Sequence, residues 1–259
     1  MASQTQDLGA KYLYAIVLRD GMTCADPGRE CGSDGLNGQA VYCIPHGRVA
    51  AVVSDVLETK FRPERRHLAA HHHVLKSLMD EGKAVLPVSF GVVADDAKAL
   101  TRILSMNEDA FREQIERVAG KVEMGLRVVW DVPNVFQYIV DVHPELRALR
   151  DLLPRGGRGP TQDERITLGR RFEQLLEEDR AANTASVREV LDKVCSEVKD
   201  NNPRDETEVM NLACLIGRGD QHAFEDAVLE AAKLFDDNYA FDFSGPWPPY
   251  NFVDVDLQL

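Results

Sequence analysis

The sequence predicts an α+β protein of two domains, each a small, mostly antiparallel sheet with helices on one face. Three observations support this prediction. Runs rich in β-branched and aromatic residues open the chain at Tyr12–Arg19, Val41–Ile44 and Arg48–Val53. Helical periodicity follows Pro63, which suits the first turn of a helix. Strand patterning then begins again at Gly125–Trp130, and 259 residues are enough for two domains.

The N-terminal domain is expected to span residues 1–106. Its glycine-rich segment Asp20–Gly38 predicts a long loop. The helix after Pro63 should bury the residues that recur at helical spacing, which are Leu68, His72, Leu75 and Met79. Two separate helical patterns, one ending at Met106 and the next starting at Asn107, lead into the second domain.

The second domain is expected over residues 107–244, as a ferredoxin-like (split βαβ) sheet with a long helical insertion. Thr161 and Glu164 form a capping-box pattern that opens a helical region reaching about Asp200. We expect a break in this region at Asn183–Thr184, which would give a helical hairpin. Residues 245–259 are expected to form an extended C-terminal tail that packs back on the body.

Charge is distributed unevenly along the chain. Residues 1–106 carry 12 acidic and 12 basic side chains, whereas residues 107–259 carry 31 acidic and 18 basic ones, which accounts for the net charge of −13. This acidity argues against nucleic acid as a partner. No apolar run approaches a membrane span, and the N-terminus has no signal-peptide pattern, so we expect a cytoplasmic protein that does not bind membranes. Five cysteines are consistent with reduced thiols there.

The stretch Ala84–Asp95 (AVLPVSFGVVAD) occupies the centre of the N-terminal domain. Its apolar run predicts a strand, but Pro87 cannot donate a ladder hydrogen bond and therefore places that strand at a sheet edge or a bulge. Gly91 allows a sharp turn with positive φ. Composition alone favours a core strand with one irregularity.

No pattern in the chain indicates catalysis. His67 and His71 have a spacing that can hold a metal, but His71, His72 and His73 diverge around a helix and no HExxH motif is present. We expect His72 to pack on the inner face, with His71 and His73 at the rim. Ser89 lacks the flanks of a nucleophile elbow. We therefore predict no catalytic, cofactor-binding or metal-binding residues and no cofactor.

The C-terminal segment Gly245–Val253 (GPWPPYNFV) combines three prolines with three aromatic residues. The prolines hold the backbone extended, so little conformational entropy is lost when the segment docks. We expect a strap that lands near Pro87–Gly91, with Trp247 filling a pocket at the junction of the domains. The alternative is a free peptide ligand for a groove.

The order HHHVLKSLM, VLPVSFG and GPWPPYNFV resembles the paired signatures of the gas vesicle protein F/L family over nearly the full chain. This resemblance implies a non-enzymatic accessory or minor structural protein of gas vesicle assembly. The resemblance also implies that the protein binds the major shell protein, prevents its aggregation, works with other accessory proteins and resides at the gas vesicle. The signature positions are Pro87, Phe90, Gly91, Gly245, Pro246, Trp247, Pro248, Pro249, Tyr250 and Phe252.

Two other functions remain open on the residues alone. One is a metal-dependent enzyme or regulator that uses His67 with His71–His73. The other is an adaptor of a different cytosolic assembly.

Overall fold

The computed structural model describes residues 9–19, 30–152 and 161–254, which contain two antiparallel sheets and six α-helices. The strands are β1 (Ala10–Leu18), β2 (Glu30–Asp34), β3 (Ala40–His46), β4 (Val49–Val56), β5 (Val85–Pro87), β6 (Val93–Ala94), β7 (Lys121–Trp130), β8 (Glu197–Asn201), β9 (Glu208–Gly217) and β10 (Tyr239–Trp247). The helices are α1 (Arg65–Asp80), α2 (Ala97–Val118), α3 (Val135–Val142), α4 (Pro144–Leu152), α5 (Gln162–Leu191) and α6 (Gln221–Ala232). The predicted α+β class is confirmed.

The chain divides into two compact units, residues 1–123 together with 246–259, and residues 124–245. Met106 and Asn107, which were expected to end one helix and start the next, both lie inside α2. This helix is continuous because its buried residues follow one face through the junction, including Leu104, Asn107 and Phe111. The Asp96 side chain accepts a hydrogen bond from the Ala99 amide and caps its N-terminus.

In the first unit the sheet order is β2-β3-β4-β1-β5, and β6 also pairs with β1. The segment Asp20–Gly38 was expected to be a loop. This is wrong in part, because β2 lies within it and pairs with β3. Residues 20–29 lie outside the described residues. Nearly every side chain of the central strand β1 is buried. Leu13 and Ile16 pack with α2, whereas Tyr12 and Tyr14 contact α1.

Successive side chains of a strand point to opposite faces, and the β-bulge between Leu13 and Ala15 brings Ile16 back to the face of Leu13. The helices α1 and α2 therefore cover opposite faces of this sheet. The expectation of helices on one face is therefore wrong for the first unit. The continuous apolar run of β1 is the physical reason, because a strand that is apolar on both faces needs cover on both.

In the second unit the sheet order is β10-β7-β9-β8. The predicted capping box is present at Thr161 and Glu164, but α5 continues unbroken through Asn183–Thr184. The helical region also ends before Asp200, because β8 begins at Glu197 and pairs antiparallel with β9. Pairing with a neighbouring strand here outweighs the helical pattern of the local sequence.

None of the described helices is long and apolar enough to cross a membrane.

Candidate functional site

The central stretch of the first unit is a broken edge strand. Pro87 of β5 lies opposite Ala15 of β1, at the sheet edge, where its missing N–H removes no ladder bond. The Val88 amide still donates to the Tyr14 carbonyl at 3.0 Å, after which the chain leaves β1 and returns at β6. Gly91, in the turn between them, has φ +92°. The edge position and the positive φ that the sequence predicted are both confirmed.

The departure of this chain from β1 opens a concave groove in the first unit. We call it the β1–α2 groove, a cavity of about 410 Å³. Its walls are almost entirely aliphatic or aromatic, with Ser89 and Asp254 among the few polar residues. The apolar lining consists of Leu13, Ile16, Leu86, Pro87, Val88, Val92, Val93, Ala94, Leu100, Ile103, Leu104, Phe111, Tyr250 and Val253. Such a surface favours an apolar ligand.

A buried hydrogen-bonded bridge lies beside the groove and joins α1, β1, the Gly91 turn and the C-terminal segment. The Tyr12 hydroxyl lies 2.9 Å from Nδ1 of His71, and the Tyr250 hydroxyl lies 3.1 Å from Nε2. The Gly91 amide donates to the Tyr12 hydroxyl at 3.0 Å. Phe90 packs edge-on against the rings of both Tyr12 and His71. We call this the Tyr12–His71–Tyr250 bridge.

The bridge is electrically neutral at ordinary pH. The pKa of His71 is lowered to about 4, chiefly by burial and also by the neighbouring His72, while the Val88 backbone opposes both effects. Burial raises the pKa of Tyr12 to about 12 and also raises that of Tyr250. A neutral imidazole has one N–H and one bare nitrogen, so it donates to one tyrosine and accepts from the other.

The C-terminal segment is held in the first unit by contacts on both sides of Tyr250. Pro248, Pro249 and Phe252 are buried, and Phe252 is 0 % exposed. The buried Glu123 carboxylate accepts from the Asn251 amide at 2.9 Å and from its side-chain Nδ2 at 2.7 Å. The segment therefore reaches the groove with its backbone fixed, and Val253 and Asp254 line one end of that groove.

The structure brings Pro87, Phe90, Gly91 and Tyr250 together around the groove and the bridge. Trp247 was expected to fill a pocket, and the structure does not place it in one. Trp247 ends β10, is 40 % exposed, and its ring stands edge-on to His72 with 5.3 Å between centroids. Phe252 supplies the fully buried aromatic ring instead.

The predicted inner face of α1 is right at Leu75 and Met79, which are buried, and wrong at Leu68 and His72. His67 and His71 are buried, whereas Leu68 and His72 are exposed. Hydrophobic periodicity assigned the core to Leu68 because it contains no sign that Tyr12 and Tyr250 provide polar partners for a buried histidine. His71 is thus the residue of the site that the sequence analysis missed.

The two buried histidines, His67 and His71, each have a hydrogen-bond partner in the protein. Nδ1 of His67 lies 3.2 Å from the Arg62 carbonyl oxygen. Within residues 9–19, 30–152 and 161–254, no three His, Cys, Asp or Glu side chains are placed to share a metal ion.

These features define a two-sheet α+β protein in which the C-terminal segment lines an apolar groove. The chain belongs to the family described as gas vesicle synthesis protein GvpL/GvpF, whose model matches residues 10–254. The resemblance seen in the sequence is confirmed.

Relatives match over almost the whole length. Gas vesicle protein F of a Streptomyces strain is 29% identical, over 94% of this chain and 99% of that protein. Gas vesicle protein L1 of Halobacterium salinarum is 26% identical, over 94% of this chain and 90% of that protein. The crystal structure of GvpF from Anabaena has a TM-score of 0.79 and 25% identity, and the match covers 96% of this chain and 99% of that one.

Proposed function

We propose that this protein is a non-enzymatic accessory protein of gas vesicle assembly that binds the major shell protein and keeps it from aggregating before it assembles. The β1–α2 groove is the observation that carries this proposal, and family membership supports it. A shell subunit presents apolar surface, which aggregates in water unless a soluble partner covers it. The net charge of −13 helps to keep such a complex in solution.

The groove is suited to an apolar segment for two reasons. Its walls come from β1, α2 and the broken edge strand, so the surface is formed before a partner arrives and little ordering entropy is lost on binding. At its rim Val92 is 41 % exposed and would gain burial when a partner docks. On this proposal the protein acts in the cytoplasm at the growing gas vesicle, together with other accessory proteins.

Two structural proposals accompany this function. The connectivity β7–helices–β8–β9–α6–β10 with the order β10-β7-β9-β8 supports a ferredoxin-like arrangement for the second unit. The burial of Phe252 and the Glu123–Asn251 hydrogen bonds support a strap function for the C-terminal segment.

Val92→Glu tests the proposed function. A carboxylate in the groove would have to lose its water when an apolar segment docks, so affinity for the purified shell protein should fall at least about tenfold. Binding is measured by titration, and vesicle formation is scored in cells that carry only the variant. Met106→Glu is the matched control, because Met106 is 46 % exposed on α2 and does not line the groove.

Circular dichroism must show that both variants fold. Normal affinity and normal vesicles in Val92→Glu would contradict the groove as the binding site. Absence of any binding between the unsubstituted protein and the shell protein would contradict the proposed function as a whole.

A further inference from the structure

Two of the cysteines lie on neighbouring segments of the second unit. Cys195 follows α5, and its amide donates to the Leu191 carbonyl at 2.8 Å. The next residue, Ser196, donates to the Leu215 carbonyl through its amide at 2.8 Å and through its hydroxyl at 2.9 Å. Because Leu215 follows Cys214 in β9, these bonds hold the turn that carries Cys195 against the strand that carries Cys214.

The two thiols are in hydrogen-bonding contact, and their environments differ. Cys195 is partly exposed, whereas Cys214 is buried. The Cys214 thiol donates a hydrogen bond that lowers the pKa of the Cys195 thiol, against the opposing effects of burial and the Asp192 carboxylate. An accessible thiol with enhanced thiolate character and a second thiol behind it is the arrangement of redox-sensing cysteines.

We propose that Cys195 and Cys214 form a reversible oxidation site, which hydrogen peroxide converts into an intramolecular disulfide. The Cys195 thiolate attacks one peroxide oxygen, the O–O bond breaks, and the departing hydroxide takes a proton to leave as water. Cys195 is then a sulfenic acid. The Cys214 sulfur attacks the Cys195 sulfur, the S–S bond forms, and the sulfenic hydroxyl leaves with the Cys214 proton as a second water. The two thiols lose two electrons, and the peroxide gains them.

The disulfide would change the stability of the second unit. It would close the loop 195–214, which contains β8, and would tie the end of α5 to β9. Closing a loop restricts the unfolded chain, so the oxidised protein should melt at a higher temperature than the reduced one.

The test uses the full chain, reduced and then exposed to a small excess of hydrogen peroxide. We expect an intact-mass loss of about 2 Da for two hydrogens, a proteolytic fragment pair linked through Cys195 and Cys214, and reversal by dithiothreitol. Cys195→Ser should abolish the linked fragments. Cys214→Ser, which keeps a hydrogen-bond donor beside Cys195, should leave Cys195 as a sulfenic acid that dimedone labels several-fold more than in the unsubstituted protein. Cys43→Ala is the control, since Cys43 lies buried in β3 and its loss should leave the link intact.

Fragment mapping separates this pair from Cys24, which lies outside the described residues, and from Cys31, which belongs to β2. Oxidation confined to Cys24 and Cys31, with Cys195 and Cys214 still reduced, would overturn the proposal. Formation of the Cys195–Cys214 link at a peroxide level that leaves free glutathione reduced would support the proposal. If Cys214→Ser does not fold, the comparison of Cys195→Ser with the unsubstituted protein decides the question.

Discussion

Phe252→Ala is expected to lower the free energy of unfolding by about 3–5 kcal/mol, the usual cost of truncating a fully buried phenylalanine. The Phe252 side chain is 0 % exposed, and the hydrogen bonds of Tyr250 and Asn251 fix the backbone around it, so the site can close over the lost ring only in part. Urea titration of the two proteins measures the difference directly.

Trp247→Ala is the matched comparison, because Trp247 belongs to the same segment and is a larger ring that remains 40 % exposed. It should cost clearly less than Phe252→Ala, although a tryptophan buries more area when it is fully covered. Equal losses in the two variants, or a larger loss for Trp247→Ala, would show that the C-terminal segment is not held through Phe252.

Some features of the site follow from single residues whose chemistry leaves few choices. Proline lacks a donor, so Pro87 indicated the sheet edge. Glycine tolerates positive φ, so Gly91 indicated the turn. The capping box at Thr161 likewise depends only on local hydrogen bonds. Local chemistry of this kind can be predicted from sequence because the partner is the chain's own neighbouring backbone.

Features that depend on distant partners could not be predicted in the same way. A buried His71 is stable because Tyr12 and Tyr250 approach it from sequence positions 59 and 179 residues away. The hydrophobic pattern of α1 contains no sign of either tyrosine and so favoured Leu68 and His72 as the core. Trp247 was misplaced for a related reason, since composition predicts that a large ring is buried but not which ring of a segment faces the core.

Lowering the pH below 6.5 should reduce the free energy of unfolding through His71, at pH values where most carboxylates are still ionised. In the unfolded chain a histidine takes up its proton near pH 6.5, whereas the buried His71 resists protonation until about pH 4. Between these two values the unfolded state binds more protons than the native state, so lowering the pH favours unfolding. Above pH 6.5 both states are neutral, and the contribution of His71 no longer changes with pH.

The difference between the two pKa values corresponds to about 3 kcal/mol of stability, lost progressively as the pH falls from 6.5 to 4. Protonation also disrupts the Tyr12–His71–Tyr250 bridge. Both ring nitrogens then donate, so the tyrosine hydroxyl that gave its proton to the bare nitrogen loses that acceptor.

His71→Gln removes the titration but keeps a polar side chain that can donate and accept. Urea titration measures the free energy of unfolding between pH 4 and pH 8. The decrease in this free energy from pH 8 to pH 4 should be about 3 kcal/mol smaller for this variant than for the unsubstituted protein. Comparing the two proteins cancels the contribution of the carboxylates, because both proteins share it. His73→Gln is the control, because His73 is exposed on the same helix and is not among the groups that shift the pKa of His71, so this variant should lose stability with pH as the unsubstituted protein does. If His71→Gln and the unsubstituted protein lose stability in parallel down to pH 4, His71 does not resist protonation in the native state, and the neutral bridge is wrong.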